Sequence, residues 1–154
     1  MVPDEKSNGF HAFLRSRRSI RSFKSKPVPV EVLQRILETT ICAPSAHNLQ
    51  PWRFVVLSSA KAKLRLAEAI AGKFRQDMTT DGVPETDIEA RVRRTIRRAG
   101  EAPTIVVLFR DRKMVKHQPD EARERAEGLL GSQSVALAGL QLLLAAQAFG
   151  VCGQ

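Results

Sequence analysis

The sequence predicts an α+β fold in which a few short strands are outnumbered by helices and one long apolar helix lies inside. Three observations carry this. Two short β-branched runs, RFVVL (53–57) and PTIVVLF (103–109), are apolar throughout and suit buried strands. Around them, apolar residues recur at helical spacing. Last, residues 129–154 contain no charged side chain, which at 27% charge overall would arise by random placement about three times in ten thousand.

Taken in order, Phe10, Phe13 and Leu14 give a short amphipathic helix over 7–16 that delivers an arginine-rich segment to a surface. Pro29 suits a first helical position, Leu33, Ile36, Leu37 and Ile41 form a stripe, and Pro44 stops continuation, so a helix is expected over 30–42. The polar loop APSAHNLQPW then feeds the first strand. Ser58 or Ser59 caps a helix over 60–75, where Leu64, Ala67, Ile70 and Phe74 repeat at helical spacing. DMTTDGVPETD (77–87) reads as a loop or lid, followed by a helix over 86–99. Pro103 opens the second strand, and a charged loop through His117 and Pro119 leads into the final helix. In that helix Gln133, Ser134, Gln141 and Gln147 fall on one arc at about 100° per residue. Four polar groups argue against a lipid-spanning role and for a fully buried helix, lined on one side by amides and hydroxyls, at the centre of the domain or of a dimer interface.

With 154 residues and 43% hydrophobic content, the chain suits a single domain, residues 1–154, and at this size roughly 69% of the extended surface can be buried without disulfides. Cys42 and Cys152 lie far apart, and His11, His47 and His117 share no metal-ligating spacing, so no metal site is expected. No secretory signal opens the sequence, and a reducing cytoplasm is the expected location. The formal charge of +9 directs attention to anionic partners.

Two segments can carry chemistry. In Arg15-Ser16-Arg17-Arg18-Ser19-Ile20-Arg21-Ser22, guanidinium forks and a hydroxyl supply the charge-assisted bonds a phosphate takes, although a basic run after a helix is also an ordinary solvated face. In Ala43-Pro44-Ser45-Ala46-His47-Asn48-Leu49-Gln50-Pro51-Trp52, neutral donors and acceptors adjoin the single Trp, which suits an aromatic ligand with amide-like edges or a plain turn.

Together, RRSIRSF, an amphipathic helix and APSAHNLQPWRFVVL resemble the opening of the nitroreductase-like flavin oxidoreductases. The match is most similar to the nitroreductase domain attached to the γ-glutamyl ligase of the deazaflavin coenzyme. The resemblance implies a mixed β-sheet flanked by helices around a long buried central helix, a homodimer, and FMN as cofactor. It implies that Arg17, Arg18, Ser19 and Arg21 grip the FMN phosphate, ribityl chain and pyrimidine edge, while Pro44, Ser45, Ala46, Asn48 and Gln50 reach flavin and substrate from the facing subunit. His47 and Trp52 sit inside the motif as packing supports, with ligand contact the alternative for His47. Hydride would pass from NAD(P)H or a reduced deazaflavin through the flavin to a small organic acceptor, with no catalytic acid or nucleophile from the chain. The absence of GxGxxG agrees with a nicotinamide that visits and leaves. A non-catalytic flavin- or deazaflavin-binding protein, or a remnant of such an enzyme, is the alternative the same motifs allow.

RVRRTIRR places Arg91, Arg93, Arg94, Arg97 and Arg98 on more than one helical face, as a solvated basic helix does; the alternatives are a landing site for a polyanionic substrate beside the 77–87 lid, or nucleic acid, which no recognised binding fold supports. At GVCGQ the sequence stops where the family continues with a C-terminal segment that completes the sheet across the dimer, so the domain is expected to be a shortened form.

Overall fold

The computed structural model describes residues 5–114 and 117–153. Its elements are α1 (Glu5–Ser16), α2 (Val30–Thr40), a 3₁₀ turn (Ala46–Asn48), β1 (Trp52–Leu57), α3 (Ala60–Thr80), α4 (Glu85–Glu101), β2 (Ile105–Arg110), a second 3₁₀ turn (Arg112–Met114) and α5 (Glu121–Ala148). Both expected strands form, and they pair in a two-stranded sheet. Asp111 N, just after β2, donates to Pro51 O, just before β1, at 2.7 Å. The start of one strand therefore meets the end of the other, which makes them antiparallel. An Arg53–Asp111 ion pair at 3.0 Å closes the same corner.

The chain forms two compact units, one of Met1–Ile20, Pro29–Arg53 and Leu108–Gln154, the other of Arg21–Val28 and Phe54–Val107, as far as these residues are described. In the second unit α3 and α4 make a helical hairpin around buried Ala71, Ile88 and Val92, with Met78, Val83 and Ile96 packed against them. Ser59 is the residue that caps α3, its Oγ accepting from Ala62 N at 3.3 Å. Buried Lys63 donates to Ala102 O at 2.5 Å, placing a cation at the C-terminal end of α4.

The 77–87 stretch is not a lid. Residues 77–80 complete α3, α4 starts at Glu85, and only a tight turn remains. Gly82 at φ +71 takes the left-handed step, Gly82 N donates to Thr79 O at 3.1 Å, and Val83 N to Met78 O at 2.9 Å. This bond pair ends a helix on a glycine, and the accompanying Met78 and Val83 side chains face the hairpin core. Two apolar residues in a polar run thus carried more weight than the Gly, Pro and Asp around them.

In the first unit the buried side of α2, Ile36 and Thr40, packs on α5. Helix α5 starts at Glu121, where Asp120 accepts from Arg123 N at 2.9 Å, and ends on Gly150 at φ +70. It is long and apolar enough to cross a membrane by length and composition. It is not fully buried, however: Gly131, Ser134, Ala138 and Ala145 form the buried stripe, while Leu137, Leu140 and Leu129, the last at 60% exposure, face outward. Lack of charge records what a helix avoids, and one chain alone does not cover all of its sides.

The predicted polar arc has a definite use. Gln141 Nε2 donates to Thr39 O at 3.2 Å, at the C-terminal end of α2, and Gln147 Nε2 donates to Phe13 O at 3.1 Å, in the last turn of α1. Ser134 Oγ accepts from Ala46 N at 3.1 Å, at the start of the 3₁₀ turn. Each bond reaches a backbone group at the end of another helix or turn, adding to the Cys42 N–Thr39 O and Ser16 Oγ–Phe13 O bonds already made there. Gln133, the fourth member of the arc, is exposed.

Candidate functional site

Helix α1 runs directly into the arginine segment, which passes over the C-terminal end of α5. Ile20 N donates to Gly153 O at 3.1 Å, and Gln147 Nε2 donates to Ser16 Oγ at 2.6 Å. A cleft of about 280 Å³ lies between them, walled by Ser16, Arg17, Arg18, Leu143, Gln147 and Cys152. The two guanidiniums are not equivalent. Arg18 Nη1 donates to Arg15 O and Arg17 O at 2.8 Å each, tying it to the segment's own carbonyls. Half-buried Arg17 forms no ion pair among the described residues. Because α1 and α5 both end here, their terminal carbonyls give the cleft a negative bias that these cations offset.

The second segment lies against the N-terminal half of α5. His47, Asn48 and Gln50 have φ of 52°, 53° and 47°. Left-handed backbone costs about 1–3 kcal/mol per residue outside glycine, with Asn and His the more tolerant types. Bonds inside the loop hold part of this shape: Gln50 N donates to Ser45 Oγ at 3.0 Å, and Leu49 N to Ala46 O at 3.1 Å. From α5, Ser134 Oγ accepts from Ala46 N, and Glu127 Oε1 stands 3.3 Å from His47 Nε2. Trp52 is buried, so the single Trp supports packing at the start of β1 and presents no face to a ligand.

Of the residues singled out from the sequence, Arg17 and Arg18 wall the cleft, Ser19 follows them as an exposed hydroxyl, and Arg21 falls in the second unit. Pro44, Asn48 and Gln50 are exposed on the loop, and Ser45 and Ala46 are half-buried. Ser134, which holds the loop, and Gln147, which walls the cleft, are separated by about 20 Å of rise along α5. Within one chain the two segments therefore do not converge on one pocket. Sequence reading missed Gln147 and Cys152 as cleft residues and Glu127 as a loop contact; the legible signal was Gln147 itself, an amide in an otherwise apolar helix end. On α4, Val92 and Ile96 face the hairpin core while Arg91, Arg93, Arg94 and Arg97 are exposed and Arg98 is half-buried, close to what a solvated basic helix requires.

The chain matches the nitroreductase family over residues 14–154. It is 51% identical over 57 residues to an NADH dehydrogenase of Thermus thermophilus, a stretch that covers 37% of this chain and 28% of that relative. The match thus spans under a third of that curated relative's length. Among solved structures, a BluB-like flavoprotein from Clostridium difficile 630 superposes with a TM-score of 0.67 at 22% identity, over 92% of this chain and 70% of that one. An iodotyrosine deiodinase bound to FMN and 3-iodo-L-tyrosine does so with a TM-score of 0.64 at 27% identity, over 91% and 70%. With the α+β architecture, the paired motifs on α5 and a family match over nearly the whole chain, this protein belongs to the nitroreductase family.

Proposed function

We propose that this chain is an FMN-dependent oxidoreductase of nitroreductase type that works as a homodimer. It takes hydride from NAD(P)H or a reduced deazaflavin and delivers it to a small organic acceptor, within deazaflavin coenzyme biosynthesis. The observation that carries the reading is the cleft at the end of α5, where Arg17 and Arg18 face open space. Its donor set suits a phosphate, which brings a charge of about −1.5 to −2 near neutral pH. At about 280 Å³ the cleft lies just below the roughly 300–1,000 Å³ of complete small-molecule sites. Arg17 and Arg18 would hold the phosphate end of FMN there.

Neutral donors for the FMN ring sit on the 43–50 loop, at the far end of the same helix. A second copy of the chain brings its own Asn48 and Gln50 to the first copy's cleft, and the exposed Leu129, Leu137 and Leu140 offer apolar surface for that pairing. When bound, FMN supplies two-electron transfer between donor and acceptor. The chain's task is placement: Arg17 and Arg18 hold the phosphate, and the loop amides orient what lies on the ring. A relative of the same fold that holds FMN, and one named for NADH, support the cofactor and the donor.

The test is the visible spectrum of the purified protein, with the released chromophore identified and the bound flavin challenged with NADH, NADPH and a reduced deazaflavin. Near-stoichiometric FMN that one of these donors reduces is the expected result. A colourless protein that takes up no added FMN would overturn the reading.

A further inference from the structure

We infer that Glu127 on α5 is a positioning residue, holding the 46–50 loop in its left-handed shape through its carboxylate oxygen. The inference rests on the proposed role of that loop as the wall facing flavin and substrate. Three non-glycine residues, His47, Asn48 and Gln50, lie in a backbone region that side chains disfavour, and such a conformation persists only where surroundings over-determine it. The bonds within the loop run among its own residues and would be lost together if it relaxed. Two side chains on α5 reach the loop from outside. Ser134 Oγ accepts from Ala46 N, and Glu127 Oε1 stands 3.3 Å from His47 Nε2.

Residues seven apart lie nearly above one another on a helix, so Glu127 and Ser134 share a face, with buried Gly131 between them. Ser134 secures the entry to the left-handed stretch, at a residue before it; Glu127 contacts His47, a residue within it. The Glu127 side chain is only 11% exposed and also accepts from Gln118 Nε2 at 3.2 Å, so its oxygen is held in place from a second side. A fixed acceptor can hold a strained backbone where a free one would follow it.

Amide hydrogen exchange at Leu49 and Gln50, on the full chain without flavin, tests this. In Glu127→Leu both amides exchange on the order of tenfold faster than in the wild type, while amides of the α3–α4 hairpin keep their rates. Glu127→Gln keeps an oxygen for His47 and stays close to wild-type rates. Unchanged protection in Glu127→Leu would overturn the inference, and so would a Glu127→Gln variant as unprotected as Glu127→Leu. In the flavin-loaded protein, Glu127→Leu raises KM for the acceptor more than it lowers kcat, and Glu127→Gln restores it. Exchange is read without flavin, so a failure of the wild type to take up FMN would count against the proposed function and would leave the loop measurement standing.

Discussion

The two ends of α5 carry two different kinds of site. At the C-terminal end the backbone is ordinary and the chemistry resides in long cationic side chains over a cleft, one guanidinium tied to carbonyls and the other without an ion pair among the described residues. At the N-terminal end the loop offers mainly amides and hydroxyls, and the unusual feature is the backbone itself, with three left-handed residues beside Ser134 and Glu127. The first end attracts by charge and is open to screening by salt; the second is shaped by contacts within the chain before any ligand arrives. A site assembled from one end of each of two chains would combine electrostatic capture with a preformed wall.

The largest expected effect separates the two arginines. Arg17→Ala weakens FMN binding on the order of tenfold to a hundredfold, since charge-assisted bonds contribute about 1.5–3 kcal/mol. Arg18→Ala costs less, because its Nη1 already serves Arg15 O and Arg17 O. Titration with FMN at low and high salt checks this, and equal losses for both variants would erase the distinction drawn within the cleft.

Next comes Ser134→Ala, which leaves Ala46 N without its acceptor and lowers stability by about 1–3 kcal/mol in urea unfolding. Any remaining FMN affinity should keep the wild-type salt dependence; a change in that dependence would mean that the two ends of α5 are coupled. Gly82→Ala, at φ +71 with open space around it, costs about 1–2 kcal/mol from backbone strain alone. As it belongs to the hairpin, it should leave loop protection and FMN affinity unchanged.

The smallest effect is electrostatic and exposed. Arg75 donates to Glu89 Oε1 from Nε at 3.1 Å and from Nη2 at 2.5 Å, and these hydrogen bonds hold the Glu89 carboxyl below the usual carboxylate range. A carboxyl with a lowered folded-state pKa contributes stability above its unfolded value and loses it as pH falls through the folded one. Wild type and Glu89→Gln should therefore differ slightly at neutral pH and converge in acid, with added salt narrowing the gap. A difference that persists below the carboxylate range would show that packing, not charge, is responsible.

Much of the fold was legible because its signals are local. The stripe Leu33–Ile36–Leu37 announced α2, RFVVL announced β1, and Ser59 capped α3 as expected. The 77–87 segment misled because turn-forming residues dominate its composition, while its packing depends on Met78, Val83 and Ile88 meeting across the hairpin. Uncharged residues 129–154 were expected to form a fully buried helix, but only one stripe of it is buried, and no local pattern states which leucines one chain leaves exposed.

The sequence by itself determined the helix and strand periods, the arginine forks and the neutral loop, because periodicity and donor type are properties of neighbouring residues. Only the tertiary structure decided that Gln147 closes a cleft with Ser16, 131 positions away, that Ser134 meets a backbone amide 88 positions away, and that Arg18 is tied down while Arg17 is not. Those outcomes depend on which distant groups a rigid helix brings together, and the left-handed loop lies where Ser134 and Glu127 of α5 reach it.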